Sequence, residues 1–121
     1  MANKLKSRLT NLKETANENL VNNKNEHAIE IYLKAAKLFE ENYNLAENED
    51  ESKEIENIYV TILSNLSQTY LNTSNFSLAV QTSKKAISID QSHLKSYFRL
   101  GRGYKFHKKS PKNVQKVIGK F

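Results

Sequence analysis

The chain has no cysteine, one proline and three glycines in 121 residues. Without thiols there are no disulfides, no thiolate-ligated metal site and no cysteine nucleophile. So little Gly and Pro cannot supply the frequent turns of a β-sandwich, which leaves long helices as the expected elements. No apolar run approaches the roughly 18 residues that span a bilayer. The basic start (Lys4, Lys6, Arg8) is not followed by the apolar stretch of a secretion signal, so the expected compartment is the cytosol or the nucleus. Hydrophobic residues make up 38%, too few for one deep core. Shallow packing, in which each element touches only its neighbours, fits that composition better. The length suits a single domain spanning 1–121.

Acidic residues are missing altogether after Asp90, while Lys95 to Lys120 holds nine Lys or Arg. Carboxylates are instead dense over 40–56, at Glu40, Glu41, Glu47, Glu49, Asp50, Glu51, Glu54 and Glu56. Either run alone reads as solvated surface. Their complete separation in a chain of net charge +6 points the basic end toward something negative.

What is present is helical periodicity. Ala28, Ile29, Ile31, Tyr32, Ala35, Ala36, Leu38 and Phe39 form one wide apolar stripe, and Ile58, Ile62, Leu63, Leu66, Tyr70 and Leu71 another. Polar breaks at 22–25, 72–75 and 108–111 have the composition of tight helix–helix turns. The spacing predicts helices over about 5–22, 25–46, 53–72, 76–89, 92–107 and 111–120.

Self-comparison then exposes a repeat. Leu66-Ser67-Gln68-Thr69-Tyr70 recurs 34 residues later as Leu100-Gly101-Arg102-Gly103-Tyr104. Asn75-Phe76 followed by Ala79 and Ala86 continues the first copy, and an earlier copy reads Ala16, Asn25, Ala28, Tyr32 and Ala35. Small residues at these places let helices approach closely within a hairpin and between hairpins. The pattern resembles the tetratricopeptide repeat. It implies an all-α fold of helical hairpins in a right-handed superhelical stack with a concave groove. Ala28 to Ala79 is 51 residues, 17 more than one period. The surplus falls at about 43–59, where it is expected to lengthen the second helix of unit one and the first helix of unit two. The units are therefore expected at about 9–42, about 60–93 and about 94–121. The third is partial, because Pro111 and Asn113 stand where a small residue opens the second helix; a short capping helix with Val114, Val117, Ile118 and Phe121 is expected there. An incomplete unit suits a piece of a longer protein.

The first helix of each unit lines the groove in such a stack. Lys13 and Asn17 lie one turn apart, as do Lys95 and Arg99, with Asn65 between the two pairs. All five donate hydrogen bonds and every charge among them is positive, a set suited to the two carboxylates of a chain ending in Asp. Ordinary helix surface is the competing reading, since the chain holds 16 Lys and 15 Asn, but Arg99 is one of only three Arg. Lys13-Glu14-Thr15-Ala16-Asn17, Ser64-Asn65-Leu66-Ser67 and Lys95-Ser96-Tyr97-Phe98-Arg99 resemble the dicarboxylate clamp of tetratricopeptide co-chaperones. The resemblance implies that these five residues bind the Glu-Glu-Val-Asp tail of the ninety- and seventy-kilodalton heat-shock chaperones. The long interval between units is similar to immunophilin-type (FK506-binding-protein-like) co-chaperones, where the module follows a peptidyl-prolyl isomerase domain. No such domain is encoded in these residues, so no isomerase activity is expected of them.

Other chemistry is thinly represented. His27, His93 and His107 have no paired spacing for a metal, and no cofactor is expected. Gly101-Arg102-Gly103 falls inside a predicted helix and reads as packing rather than a phosphate loop. No nucleophile–base pair marks an enzyme. The basic end from Lys105 to Lys120, interleaved with Phe106, Val114, Val117, Ile118 and Phe121, reads first as a capping helix with a solvated Lys face. Calmodulin, an anionic membrane or nucleic acid are its alternative partners. A structural scaffold holding another protein's apolar segment is the alternative reading of the groove.

Overall fold

The computed structural model describes residues 2–107. Five helices run in order: α1 (Ala2–Val21), α2 (Asn25–Asn42), α3 (Glu49–Asn72), α4 (Phe76–Ile89) and α5 (Leu94–Phe106). α1 packs on α2 and α3, α3 on α4 and α5, and α4 on α5. The odd-numbered helices therefore lie side by side as one layer, with α2 and α4 behind them.

Two of the turns are copies of one another. At the end of α1, Asn23 takes a left-handed φ of 61°, Lys24 N donates to Asn19 O at 2.8 Å and Asn23 N to Leu20 O at 3.1 Å. At the end of α3, Ser74 takes φ 62°, Asn75 N donates to Tyr70 O at 2.8 Å and Ser74 N to Leu71 O at 3.1 Å. This paired closure satisfies the last carbonyls of each helix. Lys24 and Asn75 then open the next helix with nearly the same backbone angles. The repeat detected as sequence is thus also a repeat of hairpin geometry.

The surplus between the first two hairpins is handled differently from expectation. α2 stops at Asn42, a short 3-10 turn covers Tyr43–Leu45, and α3 begins at Glu49. The extra length goes into the connection and α3, and α2 is not extended. The physical reason is a strong helix start. Asn48 caps α3 by accepting from Glu51 N at 2.9 Å, Glu51 Oε2 accepts from Glu47 N at 2.8 Å, and Glu49, Asp50 and Glu51 occupy the first turn. Carboxylates there meet the positive end of the helix dipole. Much of the acidic run is therefore a helix N-terminus.

Close approach depends on small side chains. Ala16, Ala28, Ala35, Ala79 and Ala86 are fully buried. Ser67 contacts α4 through hydrogen bonds to Ala79 O at 2.8 Å and Ser83 Oγ at 2.6 Å. Gly103 lies so near α4 that a Cβ there would sit 2.7 Å from Val80 Cγ2. The larger core residues, Leu9, Tyr32, Phe39, Ile55, Tyr59, Ile62, Leu63 and Leu66, fill the spaces between hairpins. Phe39 and Tyr59 stack with centroids 4.0 Å apart. At this edge Glu40 Oε2 accepts from Tyr59 Oη at 2.5 Å and from Lys85 Nζ at 2.9 Å, tying α2 to α3 and α4. Burial pushes the Glu40 carboxyl up, but these two donors together hold it below its usual value. Among the described residues no helix is long and apolar enough to cross a membrane. The expected helix at about 111–120, with Val114, Val117, Ile118 and Phe121, lies outside the described residues, as does the basic segment from 108 onward.

Candidate functional site

The three helices of the front layer run parallel, and their register can be read from side-chain contacts. Lys6 Nζ meets Glu54 Oε2 at 2.9 Å, and Asn65 Nδ2 donates to Asn17 Oδ1 at 3.0 Å. Lys6 to Asn17 on α1 spans the same number of residues as Glu54 to Asn65 on α3, so the two helices stay aligned between these contacts. On the other side, Arg99 Nη1 donates to Ser64 Oγ at 2.9 Å. Asn17, Asn65 and Arg99 thus come together from α1, α3 and α5.

Beneath them stands Tyr32 of α2, fully buried, whose hydroxyl donates to Asn17 Oδ1. Burial pushes its phenol up to about 12, against the opposing pull of the Asn65 amide and the Arg99 charge. It remains a protonated donor throughout the neutral range. Asn17 Oδ1 therefore accepts from two helices at once, and the amide N–H group is the end left for a ligand.

Arg99 is half-buried. Desolvation draws its pKa down from the ordinary guanidinium value, with Tyr32 acting the other way. Its Nε is buried without a hydrogen-bond partner among the described residues. An unsatisfied buried donor on a cation costs about 1–3 kcal/mol or more, and an anionic acceptor is what would relieve it. The supporting Ser64 is itself buried, so one edge of the guanidinium is fixed while another stays unspent.

Lys13 precedes Asn17 by one turn and Lys95 precedes Arg99 by one turn. Lys13 is half-buried and Lys95 exposed, and among the described residues neither side chain has a hydrogen-bond or ion-pair partner. Each stands one helical turn from a member of the Asn17–Asn65–Arg99 cluster. The Lys95 charge still reaches its surroundings: burial lowers the His93 pKa, Arg99 and Lys95 add to that, and Asp90 opposes them. No carboxylate pairs with any of the five residues among those described. No three His, Asp or Glu side chains there gather as metal ligands.

Two residues of this arrangement are absent from the sequence-derived set. Tyr32 reads in the sequence as a packing residue of the second helix, and Ser64 as a neighbour of Asn65. Ser64 could have been picked out by its place one residue before Asn65, where a helix turned slightly toward α5 would present it. Nothing in the sequence marks the Tyr32 hydroxyl as the partner of Asn17.

Stacked hairpins with a small-residue interior and a polar front layer define the tetratricopeptide helical-hairpin fold, a protein-interaction fold. Residues 60–93 match the tetratricopeptide repeat family. Among solved structures, the chain is similar to the C-terminal TPR-containing domain of an FK506-binding protein from Plasmodium falciparum, with a TM-score of 0.74 and 18% identity over 98% of this chain and 89% of that one. No curated protein matches the chain in sequence.

Proposed function

We propose that the front layer binds the free acidic C-terminus of a partner protein, with Lys13, Asn17, Asn65, Lys95 and Arg99 as a dicarboxylate clamp. The partners this reading names are the heat-shock chaperones whose tails end in Glu-Glu-Val-Asp, and the protein acts as a co-chaperone module in the cytosol or nucleus. The observation that supports it most is the convergence of Asn17, Asn65 and Arg99 with donors unspent and no carboxylate among them. Lys13 and Lys95, without a hydrogen-bond or ion-pair partner among the described residues, close on the ligand from either side. Similarity in fold to a domain of an FK506-binding protein supports the immunophilin-like reading.

A short flexible peptide gripped at its end should reach micromolar affinity, about −8 kcal/mol. Calorimetry with a synthetic peptide ending in Glu-Glu-Val-Asp, as free acid and as C-terminal amide, tests the proposal. Amidation should weaken binding at least about tenfold, and Arg99→Ala should do the same, because each removes a charge-assisted bond of about 1.5–3 kcal/mol. Equal affinity for acid and amide would sink the clamp and favour a scaffold that holds an apolar segment.

A further inference from the structure

The Asn17 amide is the pivot of the site, and its orientation decides what it offers. Turned one way it presents N–H donors to a carboxylate. Turned the other way it presents an oxygen that repels one. The two ends are nearly equal in size, so packing alone does not choose between them; hydrogen-bond partners do. Asn65 Nδ2 supplies one donor to Asn17 Oδ1 from α3. The second donor is the Tyr32 hydroxyl, arriving from α2 on the buried side. That hydroxyl has no exposure to water, so it cannot substitute a solvent partner without moving the ring.

We infer that Tyr32 is a positioning residue, holding the Asn17 amide with its N–H donors toward a bound carboxylate. The inference rests on the clamp reading above and assigns a groove function to a core residue of the back layer. Tyr32 does not touch the ligand; it acts through Asn17. Replacing it with Phe keeps the ring and removes only the hydroxyl. The Asn17 amide then loses one of the two bonds that set its sense and spends part of its time reversed.

The test uses the whole 121-residue chain and the same Glu-Glu-Val-Asp peptide in acid and amide forms, with thermal melting to confirm that each variant folds. Tyr32→Phe should weaken binding of the free acid about three- to tenfold, the worth of one hydrogen bond, and change binding of the amide little. Asn17→Ala should weaken it as much or more, and adding Tyr32→Phe to Asn17→Ala should cost little further. This non-additivity is what a purely structural role for the tyrosine would not produce. Asn17→Asp keeps the acceptor for Tyr32 and abolishes the donor, so it should lose the free acid even where Tyr32→Phe folds poorly. Parent-like binding by Tyr32→Phe, or by Asn17→Asp, overturns the inference. If Tyr32→Phe binds like the parent while Asn17→Ala and Arg99→Ala weaken binding, the clamp stands and only the positioning role falls. If Asn17→Ala and Arg99→Ala both leave binding unchanged, the clamp fails and the inference fails with it.

Discussion

At the scale of single residues, the most constrained positions are those where one atom more or less changes a contact. Gly103 is one. It faces α4, and a Cβ there would meet Val80 Cγ2 at 2.7 Å and Phe76 O at 3.4 Å. Alanine is favoured over glycine within a helix by about 1 kcal/mol, so propensity alone makes Gly103→Ala stabilising. Overpacking of a close helix contact costs about 1–3 kcal/mol, and Val80 is β-branched and cannot swing aside cheaply. The clash therefore wins, and Gly103→Ala should lower unfolding free energy by about 1 kcal/mol in a urea titration. Trimming the obstacle with Val80→Ala in the same chain should recover part of the loss; a simple sum of two losses would mean that the contact is not what limits position 103. Arg99 shows the opposite case: its Nε is a buried donor with no acceptor among the described residues. Such a group persists where its partner is supplied from outside.

At the scale of elements, hairpin closure follows one design twice, with a different residue at each left-handed position. Asn tolerates that conformation because its short polar side chain can hydrogen-bond locally, whereas Ser strains against it by about 1–2 kcal/mol. Ser74→Gly should relieve the strain, less the roughly 0.5–1 kcal/mol of extra chain entropy that glycine loses on folding, for a net gain of about 0.5 kcal/mol. Asn23→Gly should gain less, and Ser74→Val should lose. Chemical denaturation of the three variants gives the order, and a Ser74→Gly midpoint below the parent's would contradict the strain argument. This level is largely legible in the sequence: the helices expected over about 5–22, 76–89 and 92–107 lie within a few residues of α1, α4 and α5, because helical spacing and polar turns act locally. The α2–α3 connection is not. Its acidic residues read as a solvated run prolonging a helix, and only the Asn48 cap, with Glu51 reaching back to Glu47, reveals them as the start of a new one. The groove divides in the same way. Spacing pairs Lys13 with Asn17 and Lys95 with Arg99, and the repeat assigns them and Asn65 to the first helix of each unit, while the Tyr32 hydroxyl bond depends on the depth at which α2 sits beneath α1, which no one-dimensional pattern encodes.

At the scale of the whole molecule, charge is sorted: carboxylates gather near the start of α3, and the front layer carries Lys13, Lys95 and Arg99 with no carboxylate paired to them among the described residues. A ligand that binds through ionised ends should respond to salt, but not equally at each cation. Screening acts strongly on exposed charges, since the Debye length falls from about 10 Å at 0.1 M salt to about 3 Å at 1 M, and weakly on desolvated ones. Lys95 is exposed, whereas Arg99 is half-buried with one edge fixed on Ser64. Peptide affinity should therefore fall as sodium chloride rises from about 0.05 to 0.5 M. Lys95→Ala should flatten that dependence while costing modest affinity, because it removes the part of the attraction that salt already weakens. Arg99→Ala should lower affinity at every salt concentration and leave most of the slope. Titrations of the parent and both variants across this range separate the two contributions. A parent affinity indifferent to salt would mean that the front layer holds its partner through apolar contact, and that the positive groove is ordinary helix surface after all.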